Sequence, residues 1–241
     1  MTPSDPALTE PAGLPPLVGG WERREHPLEG ASSARPVTLW VPRAPDALLD
    51  DAGVIERSQF HDVMPYWAWL WDSAPRMAAL VARAAWPSGA RVLELGAGLG
   101  LCGLVAARLG CAVTLSDHDP LALAALRVNA DANGLSDVAV WDLDWRALEG
   151  LPPGEASRFD VVLGCDVVYE AQAHGPVLDV LERCLAPGGE AWIADPGRTR
   201  APSFVRRAEA RGFSVEVRDA AGAPAALAPS EFRLMALRAR A

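Results

Sequence analysis

The residues best able to do chemistry cluster around one run, Glu94-Leu95-Gly96-Ala97-Gly98-Leu99-Gly100. Glycines at this spacing let the backbone turn sharply and approach a ligand with no Cβ in the way, and a helix beginning just after them offers unpaired N–H groups. Two ligand classes compete on spacing alone. Gly98, Gly100 and Gly103 fit the dinucleotide fingerprint, with Asp117 at a suitable distance downstream. That fingerprint needs a helix N-terminus facing a pyrophosphate, whereas Glu94 adds negative charge beside the turn. A cationic ligand suits such a place better, and S-adenosylmethionine carries an amine and a sulfonium but no phosphate. Asp117, ending Val113-Thr114-Leu115-Ser116-Asp117, can accept from both ribose hydroxyls of such a ligand, with Asp119 as a rival.

A second constellation is Asp166-Val167-Val168-Tyr169. A carboxylate at a pocket mouth can attract and orient an amine, and a tyrosine three residues on offers a hydroxyl or a ring face. The plain reading is that Asp166 caps a turn while Tyr169 packs. His61, His118 and His174 do not form a ligand cluster, and the four cysteines (Cys102, Cys111, Cys165, Cys184) show no metal-binding spacing, so no metal is expected. There is no G-x-S-x-G turn for a serine nucleophile.

These residues need a scaffold that brings strand ends together. After Gly89 the chain alternates apolar runs with helical stretches: strands over 91–95, 112–115, 138–141, 159–163 and 190–194, and helices over 101–109, 121–132 and 177–185. That rhythm reads as βαβ units in a parallel sheet. A helix over 204–211 and strands over 213–217 and 232–237, the last two joined only by a loop, predict a closing antiparallel hairpin. Upstream, a strand over 36–41, a short helix over 45–55 and a helix from Ser73 to Ala85 flank the aromatic block Tyr66-Trp67-Ala68-Trp69-Leu70-Trp71. Residues 1–20 predict a flexible tail, 21–72 an extension that contributes to the site, and 73–241 the main domain.

Composition narrows the partners. Of 241 residues, 31 are acidic and 22 basic, a formal charge of −9, which disfavours a nucleic-acid backbone as ligand. All the basic residues are arginine; the chain has no lysine. The first residues lack a basic start and an apolar run, and nothing approaches the ~20 apolar residues of a membrane span. The scattered cysteines suit reduced thiols, so a cytoplasmic protein is expected, with nothing demanding more than a monomer.

The segments MPYWAWLWDSA, RVLELGAGLGLCGL, VTLSDHDPLAL, LDW and CDVVYE resemble, in that order, the seven-strand protein lysine methyltransferases of the family 16 type, over about residues 60–200. Asp195-Pro196-Gly197-Arg198 is similar to the branch that methylates the electron-transfer flavoprotein β subunit, although Asp72-Ser73-Ala74 stands where that branch usually has a Pro-Gly-Gly type turn. The resemblance implies a Rossmann-like, seven-stranded, mostly parallel α/β sheet with helices on both faces and a terminal antiparallel hairpin strand. It also implies S-adenosyl-L-methionine as cofactor and a protein substrate presenting lysine. Carried over by position, it sets Trp71 against the cofactor, Gly96 and Gly98 under its methionine part, and Glu94 near the amine. It sets Asp117 on the ribose, Asp144 and Trp145 beside the adenine, and the Cys165 backbone in the same site. The chemistry of a lysine ammonium, which must lose a proton to react, makes Asp166 and Tyr169 the expected catalytic residues. Asp144 is equally suited to capping a helix, and Trp67 and Trp69 suit core and site equally. The alternatives are a small-molecule N-methyltransferase of the nicotinamide or amine type, and a binding module that keeps the fold without the chemistry.

Overall fold

The computed structural model describes residues 10–27, 35–50, 54–55, 64–148, 151 and 154–239. Its centre is a seven-stranded sheet built from β3 (Arg91–Leu95), β4 (Ala112–Asp117), β5 (Ala139–Asp142), β6 (Phe159–Cys165), β7 (Leu185–Asp195), β8 (Phe213–Arg218) and β9 (Arg233–Ala239). Their order across the sheet is β5-β4-β3-β6-β7-β9-β8. Strands β3 to β7 pair in parallel, and β9 runs antiparallel between β7 and β8. This is the Rossmann-like α/β sheet expected from the sequence, with its terminal hairpin.

Strands buried on both faces read as nearly continuous apolar runs, and their period of two deals side chains to two cores. Val92, Val161, Leu163, Trp192 and Ala194 face one core, with α1 (Ser73–Val81), α2 (Leu101–Arg108) and α3 (Pro120–Ala132). Leu93, Val162, Ala191 and Ile193 face the other, with α4 (His174–Cys184) and α5 (Ala201–Ala210). The chain runs outward from β3 to β5, then crosses back to place β6 on the other side of β3. At that switch the carboxyl ends of β3 and β6 lie side by side, Leu95 opposite Gly164, and open the crevice where parallel α/β sheets take ligands.

Several boundaries moved for identifiable reasons. The first helix ends at Val81, not Ala85, because Arg83 and Ala84 close tight turns onto Leu80 and Val81, and Trp86 then packs on Trp192 with ring centroids 4.8 Å apart. Strand β7 begins at Leu185, ahead of the expected Glu190, with a register shift that absorbs Pro187, Gly188 and Gly189. The stretch expected as a helix over 45–55 is a 3-10 turn over Pro45–Asp50 and helical again at Val54 and Ile55, with 51–53 outside the described residues. The second half of the expected tail is packed. The Trp21 N–H donates to Glu10 (2.8 Å), its indole donates to the Pro15 carbonyl (2.8 Å), and Leu14 and Leu17 lie on the core. From there β1 (Trp21–His26) and β2 (Val37–Pro42) form a separate antiparallel pair. Among the described residues no helix is long and apolar enough to cross a membrane.

Candidate active site

The glycine run leaves β3 with Gly96, Gly98 and Gly100 at φ of 57°, 54° and 85°, a region that favours glycine. At Gly98 a Cβ would lie 3.1 Å from the Trp67 carbonyl, and at Gly96 one would lie 3.0 Å from the Trp145 ring. The aromatic segment and the loop after β5 therefore close on the turn from two sides, and the glycines permit both approaches. The Ala97 N–H donates to the Ser116 carbonyl (2.8 Å) and the Gly98 N–H to Asp117 Oδ2 (3.0 Å), fastening the turn to the end of β4.

Asp117 and Asp119 take different places. Asp117 Oδ1 accepts from the N–H groups of His118 (2.8 Å) and Asp119 (3.0 Å). Asp119 caps α3, accepting from the Leu121 N–H at 2.8 Å. Burial pushes the Asp117 carboxyl above its ordinary range against these bonds. Glu94 is the more extreme case. Its side chain is buried, Oε2 accepts from the Gly103 N–H (2.7 Å), and burial pushes it up to about 8.

Asp166 follows β6 with φ 59°, uncommon for a residue with a side chain. Its N–H donates to the Ala194 carbonyl (3.0 Å), and Arg198 Nη1 donates to Oδ1 at 2.5 Å. Burial raises the Asp166 carboxyl, and the Arg198 charge works against that rise. The Cys165 thiol lies 3.7 Å from Asp166 Oδ2 and is itself pushed well up by the neighbouring Cys102 thiol and by burial. The Tyr169 ring meets Tyr66 edge-on at 5.6 Å, and Tyr66 meets Trp71 edge-on at 6.0 Å. Trp71 is held by its indole N–H on the Tyr66 carbonyl (3.0 Å).

All these groups border one cavity of about 610 Å³ at the β3/β6 switch, large enough for a drug-sized ligand. Trp71, Glu94, Gly96, Gly98, Asp117, Trp145, Cys165, Asp166 and Tyr169, each singled out from sequence, line it. Asp144 does not. It accepts from the Arg146 N–H (2.9 Å) and guanidinium (2.9 Å), and these bonds outweigh its partial burial and hold its carboxyl below the ordinary range. Trp67 and Trp69 both line the cavity, and Trp67 is also buried against Trp21. His118 borders the cavity, while His174 is buried with Nε2 on the Val168 carbonyl (3.0 Å), and His61 lies outside the described residues. Arg198, which the sequence marked only as part of a turn, and Arg146, which it did not mark, reach the cavity.

The charged groups around the cavity bear on the charge of a fitting ligand. Glu94, Asp117, Asp119, Asp166 and Glu170 border the cavity, against Arg146 and Arg198, each of the two already on a carboxylate. Even with Glu94 mostly protonated before a ligand arrives, such a lining suits a cation such as a sulfonium carrying an amine better than a pyrophosphate.

The sequence model of the family described as "Lysine methyltransferase" matches residues 68–209. EEF1A lysine methyltransferase 3 of Mus musculus is 34% identical over 135 residues, 54% of this chain and 56% of that protein. Electron transfer flavoprotein beta subunit lysine methyltransferase of Xenopus laevis is 31% identical over 139 residues, 56% of this chain and 54% of that protein. The chain thus spans about half the length of the curated relatives it matches. Among solved structures, the glycopeptide N-methyltransferase MtfA complexed with S-adenosyl-L-methionine superposes with a TM-score of 0.53 at 20% identity, covering 71% of this chain and 96% of that one. At that identity the likeness speaks to the fold.

Proposed function

Because this chain belongs to the lysine methyltransferase family, we propose that it transfers methyl groups from S-adenosyl-L-methionine to the side-chain amine of a lysine in a protein substrate. The observation that carries this reading is the convergence of the glycine turn, Asp117 and the Asp166–Tyr169 pair on one acidic cavity at the sheet switch. When bound, S-adenosylmethionine supplies an electrophilic methyl group on a sulfonium.

The chain's residues have separate tasks in this account. The backbone at Gly96, Gly98 and Cys165 bounds the methionine part, and Glu94 balances its amine. Asp117 accepts from ribose hydroxyls with lone pairs left over from its backbone bonds. Trp145 supplies a flat apolar wall for the adenine, and Asp144 contributes through Arg146 by holding the turn that presents that wall. Trp71 covers the cavity from the N-terminal side. On the acceptor side a lysine arrives as an ammonium with a pKa near ~10.4 and must lose a proton before its nitrogen has a lone pair. Asp166 orients the ammonium, Tyr169 and Trp71 offer ring faces to it, and exclusion of water lowers the cost of deprotonation. Orientation in a tight site is worth several kcal/mol of barrier.

The lysine named in the family description weighs against the small-amine alternative, and an intact set of cavity carboxylates weighs against a binding module. The acceptor we put first is the electron-transfer flavoprotein β subunit, supported by the relative so named and by the Asp195-to-Arg198 turn. We place the reaction in the cytoplasm, in keeping with free thiols at Cys102, Cys111, Cys165 and Cys184, and assign it to a monomer.

Purified protein incubated with methyl-labelled S-adenosylmethionine and a cell lysate tests this reading. Label is expected in a discrete protein band, with melting raised by S-adenosylhomocysteine. Asp166→Asn keeps a residue that tolerates φ 59°, and it should lose label by at least ~100-fold while binding S-adenosylhomocysteine within a few-fold. Label confined to small molecules, or an Asp166→Asn variant of normal turnover, would overturn it.

A further inference from the structure

We propose that Arg198 is a resident cation in the acceptor site: its guanidinium occupies the place of the substrate's lysine ammonium and must be displaced for substrate to enter. This rests on the lysine-directed reading of the same cavity and adds to it the residue that controls entry.

The surroundings of the Arg198 guanidinium are those that recognise a cation. Nη1 lies 2.5 Å from Oδ1 of the buried Asp166. The guanidinium carbon stands 5.5 Å from the Trp71 ring centroid and 5.8 Å from that of Tyr169, both within cation–π range. Tyr66 closes the group, edge-on to each of those two rings. A carboxylate behind and aromatic faces around are what an incoming ammonium requires, and the chain's own cation already has them.

The backbone that carries Arg198 is fixed, so the side chain is what moves. Asp195 Oδ1 accepts from the N–H groups of Gly197 (2.8 Å) and Arg198 (2.7 Å). Gly197 has φ +93°, and a Cβ there would lie 2.3 Å from the Glu231 nitrogen. The Arg198 side chain is 32% exposed, against 6% for that of Asp166, so the guanidinium can rotate toward solvent from a rigid anchor. Exchange of one cation for another also keeps Asp166 paired as substrate enters, and an uncompensated buried carboxylate is strongly destabilising.

Arginine suits a resident and lysine does not. A guanidinium is far harder to deprotonate than an ammonium, so in a site that strips a proton from an amine it holds its place as a much poorer methyl acceptor. A lysine at this position would be a substrate, and the chain contains none.

That contrast supplies the experiment. Arg198→Lys puts the sole side-chain ammonium of the protein against Asp166. Incubated alone with methyl-labelled S-adenosylmethionine, the variant should methylate itself at residue 198, at a first-order rate independent of protein concentration. In that step the ammonium first gives its proton to water. The nitrogen lone pair forms the N–C bond as the S–CH3 bond breaks, and the bonding pair stays on sulfur in S-adenosylhomocysteine. Arg200→Lys, exposed on the same turn, should remain unlabelled. A second measurement needs no methyl donor. Arg198→Met should bind Nα-acetyl-trimethyllysine amide about tenfold tighter than wild type, read by tryptophan fluorescence, because the competing cation is gone.

Three results overturn the proposal: an Arg198→Lys variant stabilised by S-adenosylhomocysteine like wild type yet unlabelled, labelling at position 200 as fast as at 198, or equal probe affinity in Arg198→Met and wild type. If wild type still labels lysate proteins in those cases, the proposed function stands and only the resident-cation assignment falls. If wild type neither labels protein nor gains stability from S-adenosylhomocysteine, both fall together.

Discussion

At the scale of single residues, Glu94 makes the sharpest demand. Burial lifts its carboxyl to about 8, so at neutral pH it is mostly protonated while no cation faces it. The folded protein then holds a proton that the unfolded chain, with an ordinary carboxyl near 4.5, releases. The stability this contributes is full below pH ~4.5 and is lost as pH rises through about 8. Glu94→Gln keeps an acceptor for the Gly103 N–H without the charge. The ligand-free variant should melt at least ~3 °C above wild type at pH 8 and level with it at pH 5, by calorimetry. Binding of the amine in S-adenosylhomocysteine favours the ionised carboxyl, so wild-type affinity should climb with pH and level off above about 8, and Glu94→Gln should flatten that profile. Equal melting at pH 8 together with an unchanged profile would remove Glu94 from this role. The sequence already carried the glycine turn and its acids, because their spacing is local. It left Asp117 and Asp119 as rivals, since only the start of α3 shows that Asp119 is taken by the cap. Arg198 sits 32 residues from Asp166, and a pairing at that separation leaves no local pattern.

At the scale of elements, the β1–β2 pair is attached to the main domain by an unusual device. Asn129 Oδ1 accepts from the Trp40 N–H (2.7 Å), and its amide donates to the carbonyls of Trp40 (3.3 Å) and Leu99 (3.0 Å). Asn133, four residues on, accepts from the Thr38 N–H (3.0 Å) and donates to the Thr38 carbonyl (2.7 Å). Two side-chain amides, one on α3 and one just past its end, thus pair with alternate residues of β2, as a neighbouring strand would, and Asn129 also reaches the glycine turn. Asn129→Ala leaves the Trp40 N–H buried and unpaired, so it should lower stability by roughly 1–3 kcal/mol in urea melts. A loss under ~0.5 kcal/mol would show the amide to be dispensable. The central strands were legible because apolar runs between glycine turns have few other uses. The Trp21–His26 strand was not, since its WERREH sequence buries only Trp21 and shows no alternation to read.

At the scale of the whole molecule, one topological fact organises the site. The chain leaves β3 in one direction and returns to β6 in the other, and this brings the glycine turn and Asp166, some 70 residues apart in sequence, to neighbouring strand ends. The alternation of strands and helices foretold a parallel sheet and the family likeness implied its seven strands, but the strand order, which periodicity does not carry, came only with the fold. The aromatic block from Tyr66 to Trp71 closes the same cavity from the N-terminal side, which composition alone could not separate from ordinary core. The account stands on the acceptor being a lysine of another protein. Its most direct check is to hydrolyse the labelled product of the enzyme and identify the methylated amino acid by mass spectrometry. The account predicts Nε-methylated lysine, absent when Asp166→Asn replaces wild type. Label recovered as methylated arginine, or not in protein at all, would contradict it.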